Sequence, residues 1–441
     1  MTNRKKVSSI LAALAVIVAL VICYRLWVSL ETSRSDVADN KTPLAEVHAT
    51  DADAIRRGEY VMRLSDCAAC HESNFAGGYK IDTPFGVLKT SNITPDRNTG
   101  IGNMTEQAFY NAVRQGKGQH GFLYPAMPYT AYSRLSDQDM HDLWQYLSTV
   151  TPVSQKIDEN GEMKFPFNIR LAMAGWDMLF FDNKGFVADT TKDSQWNRGK
   201  YLVDGAAHCS VCHSPRNILG GEIHSQYLQG GSLGAWYAPD ITPNPVTGIG
   251  RMSQQDIISY LKTGSDGTAV AAGPMAEAVE HSMQYFTDSD LHAVADYLQS
   301  LPPSPGKAPA SKSLSPQQNQ QAALTYEVDC SACHGTRGEG ISGMVPAFAG
   351  NQGMLNNPTN MITAILNGAR APHTQQRQTA AGMPAFAWKM DDQQIAGLLN
   401  YLRNSWGNKA AEVKASDVEK LRKSTGASSK LTAPPAKAAA N

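Results

Sequence analysis

Cys67-Ala-Ala-Cys70-His71 recurs as Cys209-Ser-Val-Cys212-His213 and again as Cys330-Ser-Ala-Cys333-His334. Two thiols three positions apart can add to the two vinyl groups of one haem. The histidine that follows is then placed to ligate the iron from one face, so C-x-x-C-H reads as c-type haem attachment. Paired cysteines also serve zinc and thioredoxin-like sites, but neither asks for histidine at the next position. Six of the seven cysteines are used in this way and only Cys23 is left over. Three haems bound through Cys67, Cys70, Cys209, Cys212, Cys330 and Cys333, with His71, His213 and His334 on the irons, are the expectation.

Around each motif the same unit returns. Asn92-Ile93-Thr94-Pro95 followed by Thr99-Gly100-Ile101-Gly102 reappears as Asp240-Ile241-Thr242-Pro243 followed by Thr247-Gly248-Ile249-Gly250. Leu135-Ser-Asp-Gln-Asp-Met140 leads to Tyr146-Leu147, Phe286-Thr-Asp-Ser-Asp-Leu291 to Tyr297-Leu298, and Met390-Asp-Asp-Gln-Gln-Ile395 to Tyr401-Leu402. A helix leads into each motif, a loop follows, and a closing helix ends the unit. Ser136 or Asp137 is the expected N-cap of the first closing helix. Gly58 and Tyr60 are placed for close packing against a later helix. A shared period of this kind marks one supersecondary unit used three times. The fold expected is mainly α, with three tandem haem-binding domains of the cytochrome c type behind an N-terminal transmembrane helix.

The boundaries follow from composition. Residues 1–30 are the anchor or signal segment, 31–50 a polar tether, 51–150 the first domain, 151–195 a connecting segment and 196–301 the second domain. Residues 302–319, rich in Pro, Ser, Lys and Gln, read as a flexible or extended linker to the third domain, 320–408, and 409–441 as a partly disordered tail with a charged helical stretch at 415–423. The connecting segment is unusually apolar, and its 171–181 stretch reads as a packed helix or as a docking surface for a partner or the membrane face. A chain of 441 residues is long enough for about three domains, and its formal net charge of −1 gives no support to a nucleic-acid partner.

Arg4, Lys5 and Lys6 precede Val7 to Tyr24, a run of eighteen residues without a charge. That is the lower edge of a bilayer span, and the basic cluster should stay cytoplasmic while the rest is exported. A cleaved signal peptide is the rival reading. No small-x-small cleavage site follows the run directly, which favours a retained anchor, and Cys23 reads as an ordinary lipid-facing residue.

The second ligand of each iron decides whether it carries electrons or binds small molecules. A methionine on a loop supported by proline or glycine, between motif and closing helix, suits the first role. Met127, Met275 and Met383 qualify, standing 60, 66 and 53 residues after the first cysteine of their motifs and 19, 22 and 18 before the closing tyrosine. Met104, Met252 and Met283 compete, whereas Met173, Met178 and Met361 read as core fillers. A backbone carbonyl should hold the other nitrogen of each histidine. Pro346 resembles the proline that plays this part in single-domain cytochromes c, Pro84 is placed to do so for His71, and the second unit offers no equivalent. His120 and His208 read as surface or loop residues.

Taken together, the three motifs, the repeated Thr-Gly-Ile-Gly loops, Tyr124-Pro125-Ala126-Met127-Pro128-Tyr129 and Cys212-His213-Ser214-Pro215-Arg216-Asn217 resemble the tri-haem cytochrome c subunit of membrane-bound periplasmic bacterial dehydrogenases of the alcohol, gluconate, sorbitol, fructose and aldehyde type. The resemblance implies three covalently bound haem c groups and electron transfer from a large catalytic subunit carrying flavin, quinone or molybdenum to ubiquinone. It also implies a place on the periplasmic side of the inner membrane, with the membrane itself and, as an optional component, a small subunit as further partners. No substrate-oxidising site is expected in this chain. The alternatives are a multi-haem redox enzyme with an open-site haem, of the peroxidase kind, and a membrane-tethered cytochrome donating to an oxidase.

Overall fold

The computed structural model describes residues 41–307, 310–311 and 314–427, together with residues 16, 19–21, 23 and 24. Most of the apolar N-terminal run, read above as the anchor, lies outside the described residues. Among those described, no helix is long and apolar enough to cross a membrane. Contacts divide the chain into two units, Met1–Met62 with Cys70–Val187, and Arg63–Ala69 with Ala188–Asn441. The described residues are helix-rich, with one three-stranded sheet and three two-stranded hairpins.

Each repeat is framed by two helices. The lead helices are Ala52–Leu64, Ser194–Tyr201 and Pro316–Asp329, and the closing helices are Asp137–Ser148, Asp288–Ser300 and Asp392–Leu402. Closing helices begin alike: the side chains of Ser136, Thr287 and Asp391 accept the N–H of the residue three positions on. A cap of this type stabilises a helix end by about 1 kcal/mol.

In the first unit the frame is closed at Gly58, where a Cβ would lie 1.9 Å from the carbonyl oxygen of Asp142. Only the absence of a side chain lets the two backbones meet. Beside it, the Arg57 guanidinium grips the buried Asp142 carboxylate through Nε and Nη2, at 2.7 and 3.0 Å. The second repeat does the same. A Cβ on Gly199 would lie 2.0 Å from the Ala293 carbonyl oxygen, and Arg198 holds the Asp290 carboxylate through two bonds of 2.8 Å. An Arg-Gly pair on the lead helix thus docks each closing helix in the first two repeats. In the third, buried Ala322 and Tyr326 line the lead helix, and Tyr326 packs on Phe348, Tyr401 and Trp406.

The segment after His71 holds a hairpin, Lys80–Thr83 with Gly86–Lys89, where the sequence suggested only loop. A strand at Glu162–Met163, from the connecting segment, extends it. Further along, the helix Ala172–Phe180 buries Ala174 and Asp177 against its own unit. The Tyr129 hydroxyl donates to Asp177 Oδ1 at 2.7 Å, and Phe181 meets the Tyr129 ring edge-on.

The second unit contains the second and third repeats. The Asn360 side chain bonds the backbone of Tyr237 in both directions, at 2.8 Å each, and Ala347 N–H donates to Thr268 O at 2.9 Å. Two segments expected to be loose are docked. The third lead helix starts at Pro316, inside the stretch read as linker, because Ser315 and Gln318 form a capping box with proline at the first helical position. The stretch from Lys409 to Ala427 folds onto the third closing helix. Val413 exchanges two bonds of 2.8 Å with the Asn400 side chain, Val418 is fully buried, and Arg422 in the helix Ala415–Thr425 pairs with Asp392.

Candidate functional site

All three motifs are short helices, Cys67–His71, Cys209–His213 and Ser331–His334. Each histidine Nδ1 faces a backbone carbonyl: Ser91 O at 2.7 Å for His71, Pro239 O at 2.7 Å for His213 and Pro346 O at 3.1 Å for His334. A carbonyl can only accept, so Nδ1 carries the proton and Nε2 keeps a lone pair for a metal. Burial pushes all three imidazoles below their ordinary pKa against the opposing pull of those hydrogen bonds, which favours the neutral ring that ligates iron.

Pro346 is the partner expected for His334. Pro84 is not the partner of His71. It sits in the turn of the 80–89 hairpin, between Thr83 and Phe85, where Thr83 Oγ1 donates to Gly86 O at 2.7 Å. The residues missed are Ser91 and Pro239, and each stands immediately before the repeated Asn/Asp-Ile-Thr-Pro. That position was the available signal.

The repeated loop explains how those carbonyls are fixed. Asn92 Oδ1 accepts from Thr94 N and Thr94 Oγ1 at 2.9 and 2.7 Å, and Asp240 Oδ1 accepts from Thr242 N and Oγ1 at 2.8 and 2.7 Å. Ile101 N–H closes on Thr94 O and Ile249 N–H on Thr242 O, both at 2.9 Å. A Cβ at Gly100 or Gly248 would lie 2.3 or 2.1 Å from that threonine oxygen, so both positions need glycine. Each loop is then clamped by the chain leaving its closing helix. Val153 O accepts from Asn92 at 2.8 Å, and Ser304 N–H donates to Thr242 Oγ1 at 3.0 Å.

The methionines differ in setting. Met127 lies in a tight turn, its N–H on Tyr124 O at 3.0 Å and its carbonyl accepting from Tyr129 N at 2.8 Å. Met275 is in the first turn of the helix Pro274–His281, not on a strap, and Met383 ends a two-residue strand paired with Ala369–Arg370. In the second unit a cavity of about 730 Å³ is lined by Cys209, Cys212, His213, Met275, Cys330, Cys333, His334 and Met383. Met252, Met283 and Met361 line it too, Met361 belonging also to the third repeat's core, while Met173 packs on the cluster of Leu88, Tyr124 and Met163. In the first unit Met104 is buried, with its carbonyl occupied by Leu44 N–H at 2.9 Å.

The donor set fits haem c. The cavity presents thiols and an imidazole at one motif, the same at another, and apolar walls that include Trp236, Phe286 and Phe348. Burial pushes the Cys209 thiol up to about 12 and the Cys330 thiol up to about 11. Phe348 stacks on His334, ring centroids 4.3 Å apart. His120 is exposed, and His208 caps the second motif helix with φ of 41°, burial pushing it down to about 4.

Comparison with known proteins agrees with this geometry. The cytochrome c family model matches residues 55–151 and 320–406, around the first and third motifs. The fructose dehydrogenase cytochrome subunit of Gluconobacter japonicus is 39% identical over 403 residues, covering 84% of this chain and 82% of its own length. The alcohol dehydrogenase (quinone) cytochrome c subunit of Gluconacetobacter polyoxogenes is 38% identical over 411 residues, 88% of this chain and 87% of that one. The gluconate 2-dehydrogenase cytochrome c subunit of Pantoea cypripedii is 38% identical over 410 residues, 86% of this chain and 92% of that one. Cytochrome c domains of this kind carry covalently bound haem c. At this identity, over most of both lengths, the chain belongs to the family of cytochrome c subunits of dehydrogenase complexes.

Proposed function

We propose that this chain is a tri-haem electron-transfer subunit, held at the periplasmic face of the inner membrane, that takes electrons from a catalytic dehydrogenase subunit and passes them to ubiquinone. The observation that carries the count of three is the second repeat. The family model does not reach it, yet its loop repeats the first repeat's hydrogen bonds and holds His213 Nδ1 at the same 2.7 Å. Haem c in these sites supplies one-electron exchange at iron.

The protein's own residues do the rest. Ser91, Pro239 and Pro346 orient the imidazoles, and Met127, Met275 and Met383 supply the thioethers that raise each potential. Met275 and Met383 share one cavity with both motifs of the second unit, which supports direct exchange between those two centres. The relatives' names mention fructose, alcohol and gluconate, so the substrate is a property of the catalytic partner and not of this type of chain.

Two measurements test this. Met383→Ala should keep haem attached and lower the midpoint of one centre, and an unchanged redox titration would make another residue the ligand. Purification in mild detergent should bring down a dehydrogenase subunit containing flavin, quinone or molybdenum. Its absence would favour a free-standing cytochrome, and ready carbon monoxide binding by the native reduced protein would favour an open-site enzyme.

A further inference from the structure

The first and second repeats differ by one residue at a telling place. Gly58 stands nine positions before Cys67, whereas Gly199 stands ten before Cys209. Both glycines are fixed against their closing helices, so the extra residue must be absorbed between them and the motif. It is absorbed in a π-helical turn, Leu202–Ala206, which directly continues the lead helix Ser194–Tyr201. Such insertions are costly in a regular helix and are found chiefly where a side chain must be re-aimed for function.

The side chain at the centre of this turn is Asp204. Its Oδ1 accepts from the hydroxyl of Tyr227 and from that of Tyr297 at 3.0 Å. Tyr297 is the closing tyrosine of the second repeat; its ring meets Trp196, centroids 5.1 Å apart, and its Cβ sits over the bare face of Gly199. Hydrogen bonds donated to a carboxylate favour its charged form. Three positions after the lead-helix tyrosine the first repeat has Arg63, where the second has Asp204, a reversal of charge at the same step. Cys209 follows five residues later, and its thiol is pushed up first by burial, then by Cys212 and Asp204.

We propose that Asp204 is a potential-setting residue for the second centre, an anion held by two tyrosines five residues before Cys209 that lowers the midpoint of that centre. The inference rests on haem being bound at the second motif. A nearby negative charge stabilises the ferric over the ferrous state, the more so the lower the local dielectric.

The test uses the full chain with its haems. Haem content of the unmutated protein, measured first, tests occupation of the second motif by itself, and fewer than three haems would count against that reading and not against Asp204. Asp204→Asn keeps the shape and an acceptor oxygen while removing the charge. In a spectroelectrochemical titration one of the three midpoints should move upward and the other two stay in place. Asp204→Glu, which keeps the charge, should return that midpoint toward its original value. Unchanged midpoints in the Asn variant, an equal shift of all three, loss of a haem, or a Glu variant that behaves like the Asn variant would each overturn the proposal.

Discussion

The first two repeats and the third reach the same end by different routes. In the first two, the carbonyl that holds the histidine comes 20 and 26 residues downstream, on a loop built from Asn92 or Asp240 and clamped by the chain beyond the closing helix. In the third it comes 12 residues on, from Pro346. The helix frame differs in the same way. Gly58 and Gly199 bring backbones into contact, whereas the third repeat keeps Ala322 and fills its frame with Tyr326, Phe348, Tyr401 and Trp406. The third also recruits its tail, with Asn400 and Arg403 donating to the carbonyls of Val413 and Ala411, both at 2.8 Å. One hold on the histidine is therefore compatible with two supports, one made of backbone contact and polar loops, the other of aromatic packing.

The helix frame gives the sharpest contrast. Gly58→Ala and Gly199→Ala each push a methyl into a carbonyl oxygen at about 2 Å, and overpacking against backbone should cost more than about 3 kcal/mol. Ala322→Gly in the third repeat should cost only about 1 kcal/mol from helix propensity, plus the loss of one buried methyl. Thermal unfolding of the three variants checks this. Equal losses would erase the distinction between the frames.

A smaller effect is expected in the loops. Asp240→Ala removes the acceptor for Thr242 N, Thr242 Oγ1 and Thr247 Oγ1, all buried or half-buried, and should cost about 2–4 kcal/mol and loosen the hold on His213. Pro346→Ala leaves the carbonyl in place and should change stability by no more than about 1 kcal/mol. Comparing the ligand-field spectra and melting points of the two variants would sharpen the contrast. A Pro346→Ala effect as large as that of Asp240→Ala would break it.

The last effect is one of pH and belongs to the first unit. Burial raises the Asp177 carboxyl from 3.8 to about 6, against the bond from Tyr129 and the charge of Lys117. A pKa raised on folding means stability that is fully present below about pH 4 and is lost as pH rises through about 6, by up to about 3 kcal/mol. Asp177→Asn keeps an acceptor for Tyr129 and should flatten that part of the melting-temperature profile. A slope that survives in the Asn variant would assign the dependence to another group.

Much of this was legible in the sequence because it is local. The three motifs, the cap at Ser136 and the duplicated Thr-Gly-Ile-Gly loop are short-range patterns, and the structure shows each as a compact hydrogen-bonded element. The carbonyls of Ser91 and Pro239 were missed because any residue type can supply one, so only the neighbouring duplicated loop betrays them. The 80–89 hairpin hid behind Pro84, which reads as a loop breaker but occupies the turn. The docked stretch 409–427 looked loose because its composition is polar, while its hold comes from backbone carbonyls and two buried valines, Val413 and Val418. Asp204 escaped notice because its role depends on a single inserted residue, visible only when the two lead helices are set side by side.

The count of haems tests the account most directly. Intact mass and haem absorbance of the chain, matured in cells with a working haem-attachment apparatus, should give three covalently bound porphyrins, falling to two in Cys209→Ser/Cys212→Ser. Two porphyrins in the unmutated chain, or a count unaffected by that double substitution, would contradict it.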